Sequence, residues 1–330
     1  MTKQASEIRW NPILKEWVAV AAHRQGRPQM PKDWCPFCPG SGSVPDKYDV
    51  LIYPNDFPTF ALNAPDPITE STDLYPVAKA KGSCDVVLYH PDHNTSLPQL
   101  SIEHITKLVR LWQSRFLELK ANTEIKYIFI FENKGEVIGV TMPHPHGQIY
   151  SFPYIPPKIA VELESSKEHF AKHNGECLFC KVMSLELAHK ERIVCENDSF
   201  VAFIPFYARW PYEVHIYSKR HVQTIIEFQA DHEIRDLAAI LKTLTQKYDN
   251  LFGFSFPYMM VMHQAPVNSG EYPFYHFHIE FYPPYRSKTK LKYLAGCESG
   301  AGTFINDTIP EEKAQELRSV DISTNMVVSH

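Results

Sequence analysis

The 330-residue sequence predicts an α+β fold of two pseudo-duplicated units, residues 1–160 and 161–330, each an antiparallel sheet with helices packed on it. The first observation is a repeated order of residues. Cys35-x-x-Cys38, Asn55-Asp56, a run Asp85 to Tyr89 ending at His93, and His144-Pro145-His146 are answered by Cys177-x-x-Cys180, Asn197-Asp198, a run Glu213 to Tyr217 ending at His221, and His276-Phe277-His278. The first Cys and the Asn-Asp pair lie 20 residues apart in both halves, and the lone His and the His-x-His lie 51 and 55 apart. A kept order with variable loops is what duplication of an α+β unit leaves behind. The second observation is that each half holds one stretch with helical apolar spacing between runs that read as strands.

Taken in chain order, Cys35 and Cys38 stand among Pro31, Pro36, Pro39 and Gly40, a setting that suits a metal-binding knuckle better than the helix start of a redox pair. Ile105, Leu108, Val109, Trp112 and Phe116 form one stripe of a helix over roughly 101–121, with Ser101 as its expected N-cap. Tyr127 to Phe131 then reads as a hydrophobic strand, Asn133-Lys134-Gly135 as a turn, and the segment carrying the histidines as the return strand. Pro153, Pro156 and Pro157 mark the junction between the units near residues 152–175. Ile234, Leu237, Leu241 and Leu244 place the second helix over roughly 231–251, with Asp231 as the expected N-cap.

The most informative stretch is Pro143-His144-Pro145-His146-Gly147-Gln148. Its prolines and glycine exclude a helix interior, and a strand of period two sends His144, His146 and Gln148 to one face. Two imidazoles and an amide make a poor core and a good site. If His144 is taken by a metal, His146 remains as the candidate nucleophile, and a nearby backbone carbonyl accepting from its other nitrogen would fix the tautomer. Gln148 can donate to a phosphate oxygen but does not titrate near neutrality, which favours group transfer over hydrolysis.

The net charge of −5 argues against a nucleic-acid-binding stripe. No apolar run reaches the length of a membrane span, and the first residues lack the apolar core of a secretory signal, so a cytoplasmic protein is expected. Seven cysteines, four of them in two Cys-x-x-Cys pairs, do not form a disulfide framework. Two thiolates from a tight turn and two imidazoles from distant strands suit a closed tetrahedral Zn2+ site, so Cys35, Cys38, His93 and His144 are the first candidate set. The repeat points to Cys177, Cys180, His221 and His276 as the second.

The combination Glu132-Asn133-Lys134-Gly135, Gly139 and Pro143 to Gln148 resembles the galactose-1-phosphate uridylyltransferase branch of the histidine-triad superfamily, in which glutamine replaces the third histidine. The resemblance extends from Arg9-Trp10-Asn11-Pro12 through His23 to Pro28, and on to His263-Gln264-Ala265-Pro266 and Phe281-Tyr282-Pro283-Pro284. It implies two histidine-triad-like units and a ping-pong exchange of UMP between UDP-glucose and galactose 1-phosphate, through a uridylyl-His146 intermediate, giving glucose 1-phosphate and UDP-galactose. It implies the same first metal set, diphosphate contacts from Arg24 and Arg27, nucleoside contacts from Asn55 and Asp56, and a homodimer with its active site near the interface. Asn133 and Thr141 are further candidate donors to substrate. Where the family has Ser and Tyr, this chain has Thr141 and Cys297.

Some members of this family instead carry their second metal, iron, on a glutamate and three histidines. Three of these positions map onto Glu162, His263 and His278, and the fourth falls on Glu280. A thiolate pair suits zinc better than added carboxylate does, so the two-cysteine set is preferred, with two zinc ions per chain expected and Glu162 and His278 structural. Two other functions fit the same chemistry: an ADP-sugar or diadenosine polyphosphate phosphorylase, and a noncatalytic zinc-stabilised nucleotide-binding protein.

Overall fold

The computed structural model describes residues 6–26 and 34–323. The chain opens with a hairpin, β1 (Ser6–Asn11) and β2 (Glu16–Ala21), and continues through β3 (Leu51–Pro54), β4 (Val77–Lys79), β5 (Ser83–Leu88), α1 (Ile102–Lys120), β6 (Tyr127–Lys134) and β7 (His146–Phe152). Then come α2 (Pro157–Lys172), α3 (Leu178–His189), β8 (Ile193–Glu196), β9 (Phe200–Phe203), β10 (Val214–Ser218), α4 (Asp231–Phe252), β11 (Tyr258–His263) and β12 (His278–Tyr282). A short ribbon, β13 (Tyr285–Ser287) with β14 (Lys290–Leu291), leads to α5 (Gly296–Ala301) and α6 (Pro310–Ser319).

The α+β organisation expected from the repeat is present, with the two sheets joined edge to edge. The order is β3-β5-β7-β6-β11-β12-β10-β9-β8, nine strands in which β6 pairs antiparallel with β11, Met260 opposite Glu132 and Met262 opposite Ile130. A separate three-stranded sheet, β2-β1-β4, flanks the first half.

α1 and α4 cover one face of the large sheet. Ile105, Leu108, Val109, Trp112 and Phe116 of α1 and Ile234, Leu237, Leu241 and Leu244 of α4 are fully buried against Val87, Ile128, Ile130, Ile149, Met260, Met262 and Ile279. Each such side chain contributes roughly 1.5–3 kcal/mol through apolar burial. Arg110 of α1 pairs with Asp231 of α4, and Gln113 donates to the carbonyls of Ile225 and Phe228 in the turn leading into α4, so α1 also holds the start of that helix. Ser101 caps α1, its hydroxyl accepting from the His104 amide at 3.1 Å. Asp231 is not the cap of α4: that position is Ala230, and Asp231 stands in the first turn, where its negative charge faces the positive helix end.

The other face is covered unevenly. In the second half α2 and α3 close it with Ile159, Leu163, Phe179 and Met183 packed on Val201, Phe203 and Tyr217. Over the first half it remains partly open around His146, Gln148 and Tyr150, which alternate with the buried Gly147, Ile149 and Ser151.

Candidate active site and metal centres

β7 begins at His146, so His144 lies in the bend before the strand rather than within it. Proline on each side of His144 explains the late start, because Pro145 has no amide to give the ladder. His146 and Gln148 share the open face as expected, and Gly147 points at the helix layer. A Cβ on Gly147 would stand 2.3 Å from the Tyr89 hydroxyl, so only glycine lets the strand sit this close to β5 and the helices behind it.

His144 is buried, with Nδ1 3.7 Å from the Cys35 sulfur and 3.8 Å from the Cys38 sulfur, while His93 Nδ1 is 3.6 Å from Cys38. Donor atoms of all four residues lie within 4.8 Å of one another. Zinc bonds of about 2.0 Å to nitrogen and 2.3 Å to sulfur set tetrahedral N···S edges of roughly 3.5 Å, so these donors suit such an ion. His144 Nε2 approaches the His90 carbonyl at 2.8 Å, which fixes the tautomer that leaves Nδ1 as the ligand atom. Burial lowers the His144 pKa to about 4 and keeps the ring neutral, as ligation requires, and it pushes the Cys35 thiol up to about 11 in the absence of a cation. Tyr48 was not anticipated: its hydroxyl donates to the Phe37 carbonyl at 2.7 Å and lies 3.1 Å from His144 Nε2.

Two residues on, His146 Nδ1 is 2.8 Å from the His144 carbonyl. That contact assigns the ring proton to Nδ1 and the lone pair to Nε2. The ring of Phe37, between the two cysteines, packs against both His144 and His146. His146 and His144 line a cavity of about 1110 Å3, together with Trp34, Asn133, Thr141 and Cys35. Gly135, at φ 106°, turns the chain under this cavity against Pro257.

The remaining expected substrate contacts are scattered. Arg24 is half-buried, and its guanidinium donates to the Phe57 carbonyl at 2.8 Å and the Thr59 hydroxyl at 3.0 Å. Asn55 accepts from the Phe57 amide and Asp56 from the Tyr53 hydroxyl. None of these three lines the cavity, and Arg27 lies outside the described residues. Gln148 sits one strand step beyond His146 on the same face, opposite Phe131.

In the second half both alternative ligand sets are assembled, side by side and without a shared residue. Cys180 lies 3.4 Å from His221 Nδ1 and 3.3 Å from His276 Nδ1, and Ser218 holds the other nitrogen of His276 at 2.9 Å. Glu162, His263, His278 and Glu280 form the neighbouring cluster, with His263 Nδ1 3.0 Å from Glu162. Burial, the largest single influence, opposes ionisation of Glu162, but the charge and hydrogen bond of His263 together with His278 outweigh it and draw the carboxyl down to about 2. Glu280 pairs with Lys158 and lies 3.8 Å from Arg209, while His215 stands 3.3 Å from its other oxygen, so both carboxylate oxygens already have protein partners outside the cluster. This second cluster is a poorer fit to a metal than either cysteine set.

Two family models match the chain: the N-terminal domain of galactose-1-phosphate uridyl transferase over residues 1–156 and the C-terminal domain over 162–327. Galactose-1-phosphate uridylyltransferase of Thermotoga maritima is 43% identical over 318 residues, covering 96% of this chain and 99% of its own length. The Rattus norvegicus protein of that name is 36% identical, covering 96% of this chain and 89% of its own. Among solved structures, a uridylyltransferase superposes with TM-score 0.87 at 40% identity, over 95% of this chain and 98% of that one. An ADP-glucose phosphorylase from Arabidopsis thaliana superposes with TM-score 0.74 at 25% identity, over 96% of this chain and 100% of that one.

Proposed function

The chain belongs to the galactose-1-phosphate uridyl transferase family, and from that premise we propose that it exchanges UMP between UDP-glucose and galactose 1-phosphate through His146. The observation that carries the residue assignment is the 2.8 Å contact from His146 Nδ1 to the His144 carbonyl. A proton held at Nδ1 presents the Nε2 lone pair to an α-phosphorus.

In this reading Nε2 attacks the α-phosphorus of UDP-glucose. The P–O bond to the β-phosphate breaks and glucose 1-phosphate leaves as an anion that needs no acid catalyst. A phosphate oxygen of galactose 1-phosphate then attacks the uridylyl-His146 phosphorus, forming UDP-galactose and returning the lone pair to Nε2. Gln148 donates to a non-bridging oxygen in both steps, and Asn133 and Thr141 supply further donors from the cavity wall. Arg24 and Arg27 serve the diphosphate, and Asn55 and Asp56 the nucleoside, once an adjoining chain completes the site in a homodimer.

Zinc on Cys35, Cys38, His93 and His144 would act as a structural ion, fixing the bend that presents His146. A second zinc on Cys177, Cys180, His221 and His276 would do the same for the duplicated unit, so that residues 1–160 carry catalysis and 161–330 support it. A cytoplasmic enzyme is inferred from phosphorylated-sugar substrates. Among the described residues no helix is long and apolar enough to cross a membrane.

The test is incubation with UDP-glucose labelled at the α-phosphate. Acid-labile label on the native chain, and none on His146→Gly, supports the proposal; no label on either sinks it. The likeness to ADP-glucose phosphorylase motivates one rival reading, which a faster turnover of ADP-glucose than UDP-glucose would favour.

A further inference from the structure

We propose that the C-terminal end of α2 carries an exchangeable divalent-cation site, formed by His169, His173 and Glu176 and separate from both cysteine clusters. The two histidines stand four residues apart, so they share one face of the helix. Their rings stack, centroids 4.1 Å apart and planes 22° apart, and one nitrogen of each lies within 4.8 Å of the other's.

The carboxylate is brought back by the chain reversal that ends the helix. Asn174 and Gly175 adopt φ of 53° and 84°, the Gly175 amide donates to the Phe170 carbonyl, and the Glu176 amide donates to the His173 carbonyl, each at 3.0 Å. Glu176 thereby folds over the last turn, with one carboxylate oxygen 3.2 Å from His169 Nε2. Lys181 sits 3.2 Å from the other oxygen and orients the group without covering the first. Donor atoms of the three residues all lie within 4.8 Å of one another.

Two independent features favour a cation at this spot. The carbonyl end of a helix carries partial negative charge. The His169–Glu176 separation also matches the tetrahedral N···O edge of roughly 3.3 Å that zinc bonds near 2.0–2.1 Å set. Two imidazoles with one carboxylate select Zn2+, Ni2+ or Cu2+ over Mg2+ or Ca2+. With three protein ligands and an exposed His173, the remaining positions belong to water, so the ion exchanges readily, unlike one enclosed by four protein ligands. Glu176 immediately precedes Cys177, so an ion here ties the end of α2 to the start of α3.

The test uses the full, tag-free chain with its tightly held metal in place, washed of loose ions and titrated with Ni2+ and separately with Zn2+ by calorimetry. One further equivalent should bind and should be weakened at least about tenfold in both His173→Ala and Glu176→Gln. His173 is exposed, so its variant should melt as the native protein does; if it does not, Glu176→Gln alone decides. Absence of a further equivalent, or equal affinity in Glu176→Gln, overturns the proposal.

Discussion

His146 and His278 occupy the same place in the two halves of the sheet: each ring directs Nδ1 to the carbonyl of the histidine two residues earlier, at 2.8 Å and 2.9 Å. What differs is everything around Nε2. His146 opens onto the large cavity with neutral Gln148 beyond it, whereas His278 is 1% exposed and meets Glu280 at the position equivalent to Gln148. A carboxylate there would repel a phosphate, and α2 occupies the space above it. Burial also lowers the His278 pKa to about 3. The duplicated half therefore keeps the geometry of a nucleophile without a place for a substrate.

Replacing His146 with Gly should abolish turnover while leaving the melting temperature within a few degrees, because the ring is only half-buried at the start of a strand. Added imidazole should restore transfer to and from the α-phosphorus. Ordinary ping-pong exchange retained by the variant would end the assignment of the nucleophile.

Cys35→Ser should lose metal and stability together. A zinc ion on Cys35 and Cys38 would tie the proline-rich segment before β3 to His93 and His144, so its loss should remove a folding constraint on the order of several kcal/mol. Elemental analysis and thermal melts on the same samples check this. Metal loss with an unchanged melt would mean that the ion does not hold the fold.

Glu132 should make stability depend on pH. It is buried, and burial raises its carboxyl from 4.5 to about 7 despite nearby Lys134 and the Tyr258 hydroxyl 3.2 Å away. The native state thus keeps a proton that the unfolded chain releases at the ordinary value. Stability should fall as pH rises through the window from 4.5 to about 7 and level off above it, by up to about 3 kcal/mol from this group. Urea midpoints across that range should show the slope flattened in Glu132→Gln.

Gly147→Ala should fold poorly or, where it folds, lose about 100-fold in kcat with a smaller change in KM. The added methyl meets the Tyr89 hydroxyl and must push β7, and His146 with it, toward the cavity. Steady-state kinetics on the folded fraction tests this, and an unchanged kcat would show that the strand position is not critical.

Much of the architecture was legible because it is written in short-range pattern. The stripes of α1 and α4 follow helical spacing, and Ser101 lies where a cap must. Asp231 was misplaced by one residue because a first-turn aspartate and a capping aspartate leave the same mark in sequence. The union of the half-sheets through β6 and β11 has no local signal, since the residues that pair are more than a hundred positions apart. Tyr48 and the His90 carbonyl escaped notice for the same reason. Sequence shows only that the residues of both second-half sets exist; in space His276 and His278, two residues apart, fall in different clusters.

The continuity of the large sheet decides how this molecule can associate with others. With the halves fused, the hairpin bearing His146 has no unsatisfied ladder, and among the described residues only β3 and β8 are terminal in this sheet. β3 is four residues long and ends in Pro54, and β8 carries a register shift between Ile193 and Cys195 with α6 lying against it. Short length, proline, a bulge and a covering helix are each deterrents to strand addition by a neighbouring chain. Strand addition at either edge of the large sheet is therefore disfavoured, which keeps this sheet from seeding open-ended β-aggregates.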